Sequence, residues 1–380
     1  MIHANSPLRE AAWPRRRILK LITAAGIGSA VFGRALVSLA AEKVKVTEDL
    51  IKQAEWISGL EFTDAKRKMM VNDLNNALEN YARMRAVAVD NSVPPALYFH
   101  AQPAARSGEK IVRAPIRVNA IGAKKPANEE DLAFANVAQL APLIKSKQIS
   151  SVELTKFYLA RLKKYDPVLR AVITFTDELA LKQAEQADKE IAAGKYRGPL
   201  HGIPYGAKDL FAMPGYKTTW GSVPFKEQVR PEKAAVIERL ERAGAVLVAK
   251  TTLGELAQGD VWYDARTNNP WNLKQGSSGS SAGSASTTAA GLVGFAIGTE
   301  TLGSIVSPCT RCGVSGLRPT FGRISRYGAM ALSWSMDKVG PIARSAEDLA
   351  LVFHSIHGAD TRDPCSVDRP FTWPPARGIK

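Results

Sequence analysis

The chain has 380 residues, 45% hydrophobic and 23% charged, with a net charge of +15 at pH 7. This composition excludes a disordered or fibrous chain and is enough for one large core or two domains. The basic excess comes with no aromatic-interleaved cationic patch and no nucleic-acid motif. Solvated surface lysine is therefore the expected account of the charge, with loose association at an anionic envelope surface as a second, and nucleic acid is not an expected partner.

Residues 1–40 read as a targeting segment. Arg15-Arg16-Arg17-Ile18-Leu19-Lys20 fits the twin-arginine pattern, an apolar Gly/Ala-rich run follows from Leu21 to Leu39, and Ser38-Leu39-Ala40 offers small residues for cleavage. An N-terminal membrane anchor is the alternative, and Arg34 with the many small residues argues against it. The expected location is periplasmic or secreted in a bacterium, with no stable membrane span once the signal is cleaved. Loss of this segment removes six cations and Glu10 and leaves a net charge of +10.

Residues 41–127 are expected to form a helical extension and an irregular connector. From Val44 to Pro95 the pattern is helical. Thr63-Asp64 is a cap, and Met70, Leu74, Leu78, Tyr81 and Met84 recur in steps of three and four. Asn91 to Asn119 is rich in Pro and Ala and reads as irregular. Residues 128–380 are expected to be the main domain. Helical spacing runs from Glu129 to Lys145, and Ser150-Ser151-Val152-Glu153 is a capping box opening a helix to about Tyr165. Ala171–Thr174 is a strand candidate, and Asp177–Ala193 is a helix ended by Gly194. After His201-Gly202-Ile203-Pro204-Tyr205-Gly206-Ala207-Lys208-Asp209 come a helix from Glu232 to Ala243, ended by Gly244, and a buried strand from Ala245 to Lys250. Strands alternating with helices argue for an α/β sandwich. Ser345-Ala346-Glu347-Asp348 caps a last helix to Ile356 before a Pro-rich end, 369–380.

The most distinctive stretch is Lys274 to Pro308. Five serines and three glycines fill Gly276 to Ser284, small residues continue to Gly291, Leu292–Ile297 reads as a strand, and Gly303-Ser304 makes a second turn. Small side chains permit close backbone approach, and serines supply nucleophiles or proton shuttles. A flexible linker is a poor fit, because an apolar strand and a tight turn follow at once. A phosphate loop is also a poor fit, because no Lys or Arg lies between Lys274 and Arg311. Of the three cysteines, Cys309 and Cys312 are spaced for a tight disulfide in an oxidising compartment, with buried packing the preferred reading and zinc disfavoured for want of further ligands.

These residues resemble the amidase signature family. Ser278-Gly279-Ser280-Ser281-Ala282-Gly283-Ser284-Ala285 stands on the first half of its pattern and Gly298-Thr299-Glu300-Thr301-Leu302-Gly303-Ser304-Ile305-Val306 on the second. Ser280 and Ser304 are 24 residues apart, which is the family's distance between its two serines. Asn269-Pro270-Trp271-Asn272 and Cys312 to Thr320 agree on the flanks, and the Gly-Ile-Pro…Lys208-Asp209 segment matches upstream. The resemblance implies an α/β fold with a mixed sheet flanked by helices on both faces. It also implies an amide C–N hydrolase working through an acyl-serine, without cofactor or metal, on a small-molecule amide. Ser304 would be the nucleophile, Lys208 the base and Ser280 the relay, held by a cis Gly279-Ser280 peptide. The backbone N–H groups of Thr301, Leu302, Gly303 and Ser304 would form the oxyanion hole. A lysine can act as base only when neutral, so its pKa must fall from about 10.4. His201 stands in front of the Gly-Ile-Pro motif and is not assigned a role. Tyr327-Gly328 and Ser333–Asp337 look like the family's pocket border.

There are departures from the pattern. Leu302 replaces a usual glycine and would be strained if φ is positive there, and it could narrow the pocket. Glu300 replaces Asp and Val306 replaces Arg, so a supporting ion pair is expected to be missing. The chain also stops where the family continues, which reads as C-terminally incomplete. Two alternatives therefore stand beside the hydrolase: a catalytically impaired remnant that acts as a binding protein, and the glutaminase subunit of the tRNA-dependent amidotransferase, which the export signal opposes.

Overall fold

The computed structural model describes residues 45–88, 116 and 124–373. The chain divides into two compact units, residues 1–95 and 96–380. The expected signal segment lies outside the described residues, as does all of the Pro/Ala-rich stretch 91–119 except Ile116.

Among the described residues, the first unit contains two helices, α1 (Glu48–Ser58) and α2 (Asp64–Ala86). Thr47 and Thr63 cap them by accepting from the N–H groups of Leu50 and Lys66. The centre is polar as well as apolar. Arg67 is buried with its Nε 2.7 Å from Glu55 Oε1, and Ile51 on α1 is buried as well. Leu78, Tyr81 and Met84, expected on one apolar stripe, remain exposed on α2.

In the second unit a six-stranded sheet runs in the order β1-β3-β2-β6-β8-β7. The strands are β1 (Val172–Phe175), β2 (Pro204–Lys208), β3 (Val246–Thr251), β6 (Phe295–Glu300), β7 (Ser315–Gly316) and β8 (Lys338–Ala343), while β4 (Asn268–Asn269) and β5 (Asn272–Gly276) form a separate ribbon. β3, β2 and β6 are parallel, and β1, β8 and β7 join antiparallel. The sheet is mixed, as the sequence implied. Leu247, Phe295 and Ile297 belong to one core, and Val246, Val248 and Ala296 to another, so alternate residues of central strands feed the two faces. Tyr205 and Phe295 are register partners on β2 and β6, and their rings stack at 5.3 Å.

Among the described residues, the α-helices of this unit are α3 (Glu129–Phe134), α4 (Val137–Lys145), α5 (Ser151–Leu169), α6 (Asp177–Ala192), α7 (Ala235–Arg242), α8 (Ala282–Ala289), α9 (Val306–Cys312) and α10 (Ala346–Ile356). The Ser150 capping box forms as read. The single helix expected from Glu129 to Lys145 is instead two. Asn136 accepts from Gln139 N–H while the Gln139 side chain returns to Asn136 N–H, so a fresh capping box interrupts the run. Asp348 adds a second cap to α4 from far along the chain, accepting from Val137 and Ala138 at 3.0 Å each. The strand expected at Leu292–Ile297 begins later, at Phe295. The small-residue run before it is helix α8, and Leu292 N–H still returns to Thr287 carbonyl at 2.9 Å as that helix unwinds.

Candidate active site

Lys208 is the last residue of β2 and Glu300 the last of β6, so both stand at the carboxyl ends of neighbouring parallel strands, where open α/β sheets build their sites. Lys208 is fully buried. Its Nζ lies 2.7 Å from Ser280 Oγ, 3.0 Å from Thr299 Oγ1 and 3.1 Å from Ser281 Oγ. Burial pushes the amine down to about 7 from an ordinary 10.5, against the opposing pull of the Asp337 and Glu300 carboxylates. The proton accounting at Ser281 is informative. Its hydroxyl donates to Thr299 carbonyl (3.1 Å) and accepts from Thr299 N–H (3.2 Å), so toward Lys208 it can only accept. An uncharged Lys208 therefore spends an N–H on Ser281 and keeps its lone pair for another partner, and Ser280 is the nearest hydroxyl.

Ser280 follows a cis Gly279-Ser280 peptide. Glycine is required at 279 by contact, since a Cβ there would sit 1.7 Å from Gly259 carbonyl oxygen. Ser304 lies on the turn between β6 and α9 and is largely buried. The two serine segments touch, with Ser281 N–H donating to Ser304 carbonyl at 3.0 Å. Among the described residues, Ser304 Oγ makes no hydrogen bond and the direct Ser280–Ser304 hydroxyl contact is not formed; the Lys208–Ser280 contact is.

The turn after β6 carries the residues proposed for oxyanion binding. Among the described residues, the N–H groups of Thr301, Leu302 and Ser304 donate to no protein acceptor, while the Gly303 N–H turns toward the Glu300 carboxylate. The positive φ falls on Gly303 (89°), not on Leu302, whose side chain is 80% exposed. The strain that a positive φ would have put on Leu302 is absent, because the turn puts its left-handed residue one position later.

The ion pair expected to be missing is present with a different partner. Glu300 Oε1 pairs with Arg318 at 3.2 Å, and Oε2 accepts from the N–H groups of Ile305 (2.8 Å) and Val306 (2.9 Å) at the start of α9. Burial opposes ionisation of Glu300, but the Val306, Ile305 and Gly303 N–H groups and Arg318 hold its carboxyl below its usual range. Thr301 is tied to the following segment from both ends of the residue. Its hydroxyl bonds Asp337, and its carbonyl accepts from Lys338 Nζ at 2.9 Å. Asp337 also accepts from Leu332 and Ser333 N–H.

Three further features sort the remaining sequence signals. Asp209, next to Lys208, forms a wholly buried pair with Lys250 at 2.6 Å and accepts from Thr219 N–H and hydroxyl. Sequence reasoning missed this pair, although a lysine closing the buried run Ala245–Lys250 signalled it. His201 sits before β2, at the end of the strand opposite Lys208. Burial lowers its pKa, its Nδ1 accepts from Arg197 N–H, and its ring fills the space beside Gly244. Cys309 and Cys312 are unbridged and buried, and burial pushes both thiols up to about 12; this is the packing arrangement. The flanking Asn269 and Trp271 serve the same helix by donating to the carbonyls of Arg311 (3.2 Å) and Cys312 (2.7 Å) at its end. Among the described residues, no group of three or more His, Cys, Asp or Glu could hold a metal ion, and no helix is long and apolar enough to cross a membrane.

A mixed sheet with the serine turns and a desolvated lysine at its carboxyl end defines an α/β protein of the kind solved several times before. The peptide amidase of Stenotrophomonas maltophilia superposes with a TM-score of 0.58 at 40% identity, over 61% of this chain and 50% of that one. An amidase family protein from Bacillus anthracis gives 0.60 at 31% identity, over 63% and 49%. In sequence, the A subunit of the glutamyl-tRNA(Gln) amidotransferase from Methylococcus capsulatus is 45% identical over 237 residues, covering 62% of this chain and 49% of that protein. Residues 153–378 match the family model described as Amidase, and the chain belongs to that family, the amidase signature enzymes. The chain spans about half the length of the relatives it matches.

Proposed function

We propose that this chain is a hydrolase of carboxamide C–N bonds that works through an acyl-Ser304 intermediate. The observation that carries this reading is the fully enclosed Lys208 amine, 2.7 Å from Ser280 Oγ and held near neutrality by burial. Neutral Lys208 takes the Ser280 proton as Ser280 takes that of Ser304, and Ser304 Oγ attacks the carbonyl carbon. The second transfer needs the Ser280 and Ser304 hydroxyls to align as substrate binds, since contacts of this kind are commonly loose in a substrate-free site. The oxyanion is met by the unpaired N–H groups of the 301–304 turn, which the Glu300–Arg318 pair and the Asp337–Thr301 contact hold in place. The proton then returns through Ser280 to the leaving nitrogen, the C–N bond breaks, and water cleaves the ester by the same path. Ammonia release from a panel of primary amides tests this. Activity lost in Ser304→Ala supports it, and activity retained in that variant removes Ser304 from the reaction.

A second reading, the glutaminase subunit of an amidotransferase, is favoured by the names of the relatives at 43–46% identity. Glutamine turned over in preference to every other primary amide would select it. The Arg15-Arg16-Arg17 segment supports export, and recovery of the protein in a periplasmic rather than a spheroplast fraction tests that assignment.

A further inference from the structure

Beside the site lies a cavity of about 650 Å³ that the reaction scheme does not use. Its lining is mainly aromatic and aliphatic, including Trp220, Phe225, Leu256, Met330, Leu332 and Trp334, with Thr218, Gln258 and the Arg230 and Glu232 side chains as its polar members. A smaller cavity of about 210 Å³ adjoins it and carries charged residues in its lining, of which Arg326 is paired with Asp363 and Arg362 with Glu238 and Asp360. The two share Ala329, Met330, Ala331 and Trp334, and the smaller one reaches Thr299, whose hydroxyl is bonded to Lys208, and Asp337, which is bonded to Thr301. Each chain segment that carries a reactive group runs into or against the wall of the larger cavity. Leu210 follows Lys208 by two residues and its carbonyl accepts from Met330 N–H (3.1 Å). Gln258 precedes Gly259, which lies against Gly279 beside Ser280. The Ser304 turn is bound through Thr301 to the 332–337 segment.

The wall is built at a conformational cost. Trp220 (φ 54°) and Leu256 (φ 50°) both occupy the left-handed region, where bulky residues are outliers, and Leu256 N–H donates to Trp220 carbonyl at 2.9 Å. Both residues line the cavity from these left-handed positions. The Trp220 ring packs on Phe225 at 4.5 Å. The charge in the lining is compensated, because Arg230 is paired with Glu232. Trp334 is 83% exposed, so apolar surface stands ready to be covered.

We infer that this cavity takes the acyl group of the substrate and selects an uncharged aromatic or branched aliphatic one. The inference rests on the amide-hydrolase reading of the site and adds to it the substrate class. In a primary amide the acyl group is the only variable part, so 3-phenylpropionamide, propionamide and anionic succinamate separate the possibilities. In the full chain carrying Ser304→Ala, calorimetric titration should show 3-phenylpropionamide binding about tenfold or more tighter than propionamide, with succinamate weakest. Adding Leu256→Gly, which relieves the positive φ and so preserves the fold, should remove most of that preference, as should Trp220→Ala. Equal affinities, no detectable binding of the phenyl compound, or a preference that survives both substitutions would each overturn the inference. Turnover by the Ser304 protein is measured separately. Selective binding without turnover keeps the cavity assignment and discards the hydrolase reading. Turnover without selectivity does the reverse.

Discussion

Replacing Lys208 by Met tests whether the amine is uncharged in the fold. The sign follows from the pKa, about 7 when folded against 10.5 when exposed. Between those values the unfolded chain holds a proton that the folded chain does not, so the contribution of Lys208 to stability rises with pH through that window and is flat below it. From pH 7 to pH 9 the rise is about 2 kcal/mol, after allowing for the half-protonated folded state at pH 7. Lys208→Met has no such group. Other titrations, including that of the buried Lys250, are common to both proteins and cancel in the difference. The hydroxyls of Ser280, Ser281 and Thr299 lose a partner in the variant, but that loss does not depend on pH. Urea unfolding of both proteins at pH 7 and pH 9 measures the quantity. Wild-type stability relative to the variant should increase by about 2 kcal/mol between the two. A difference that stays constant would mean that Lys208 is charged when folded, and the base role would go with it.

Other outcomes follow from the same geometry. The pH profile of kcat/KM for amide hydrolysis should rise with pH and level off above about 7, as Lys208 loses its proton; a profile that falls over that range contradicts a neutral-amine base. Asp209→Ala leaves Lys250 buried without its carboxylate and should cost about 3–5 kcal/mol in urea unfolding, while a joint change of Asp209 and Lys250 to apolar residues should recover most of it. Leu302→Gly should shift stability by less than about 1 kcal/mol and leave turnover within a few-fold, because Leu302 is exposed and its φ is ordinary; a large gain in stability would restore the idea of strain at that position.

Much of the architecture was legible because its signals are local. The Ser150 and Ser345 caps and the Gly194 and Gly244 stops are where the sequence placed them. The break at Asn136 was missed because an apolar period continues across it, and only the Asn136–Gln139 box marks the interruption. The late start of β6 was missed because a small-residue run has no period that distinguishes a helix from an extended turn, and packing decides. At the site, the three residues singled out by motif and spacing lie on touching segments. What surrounds them was not legible, because it depends on contacts made only in the fold. Arg318 supplies the cation that residue 306 does not, Asp337 grips Thr301, and Ser281 directs Lys208. Whether Leu302 is strained turned on which member of the Leu302-Gly303 pair takes the positive φ, and only the backbone resolves that it is Gly303.

The central claim is that Lys208 activates Ser304 through Ser280. Its most direct test is the rate at which a fluorophosphonate attaches to the protein, with the modified residue located by peptide mass spectrometry. The account predicts a single adduct on Ser304, forming faster as pH rises through about 7, absent in Ser304→Ala and strongly slowed in Lys208→Met and Ser280→Ala. An adduct at any other residue, or labelling of Ser304 at an unchanged rate without Lys208, would contradict it.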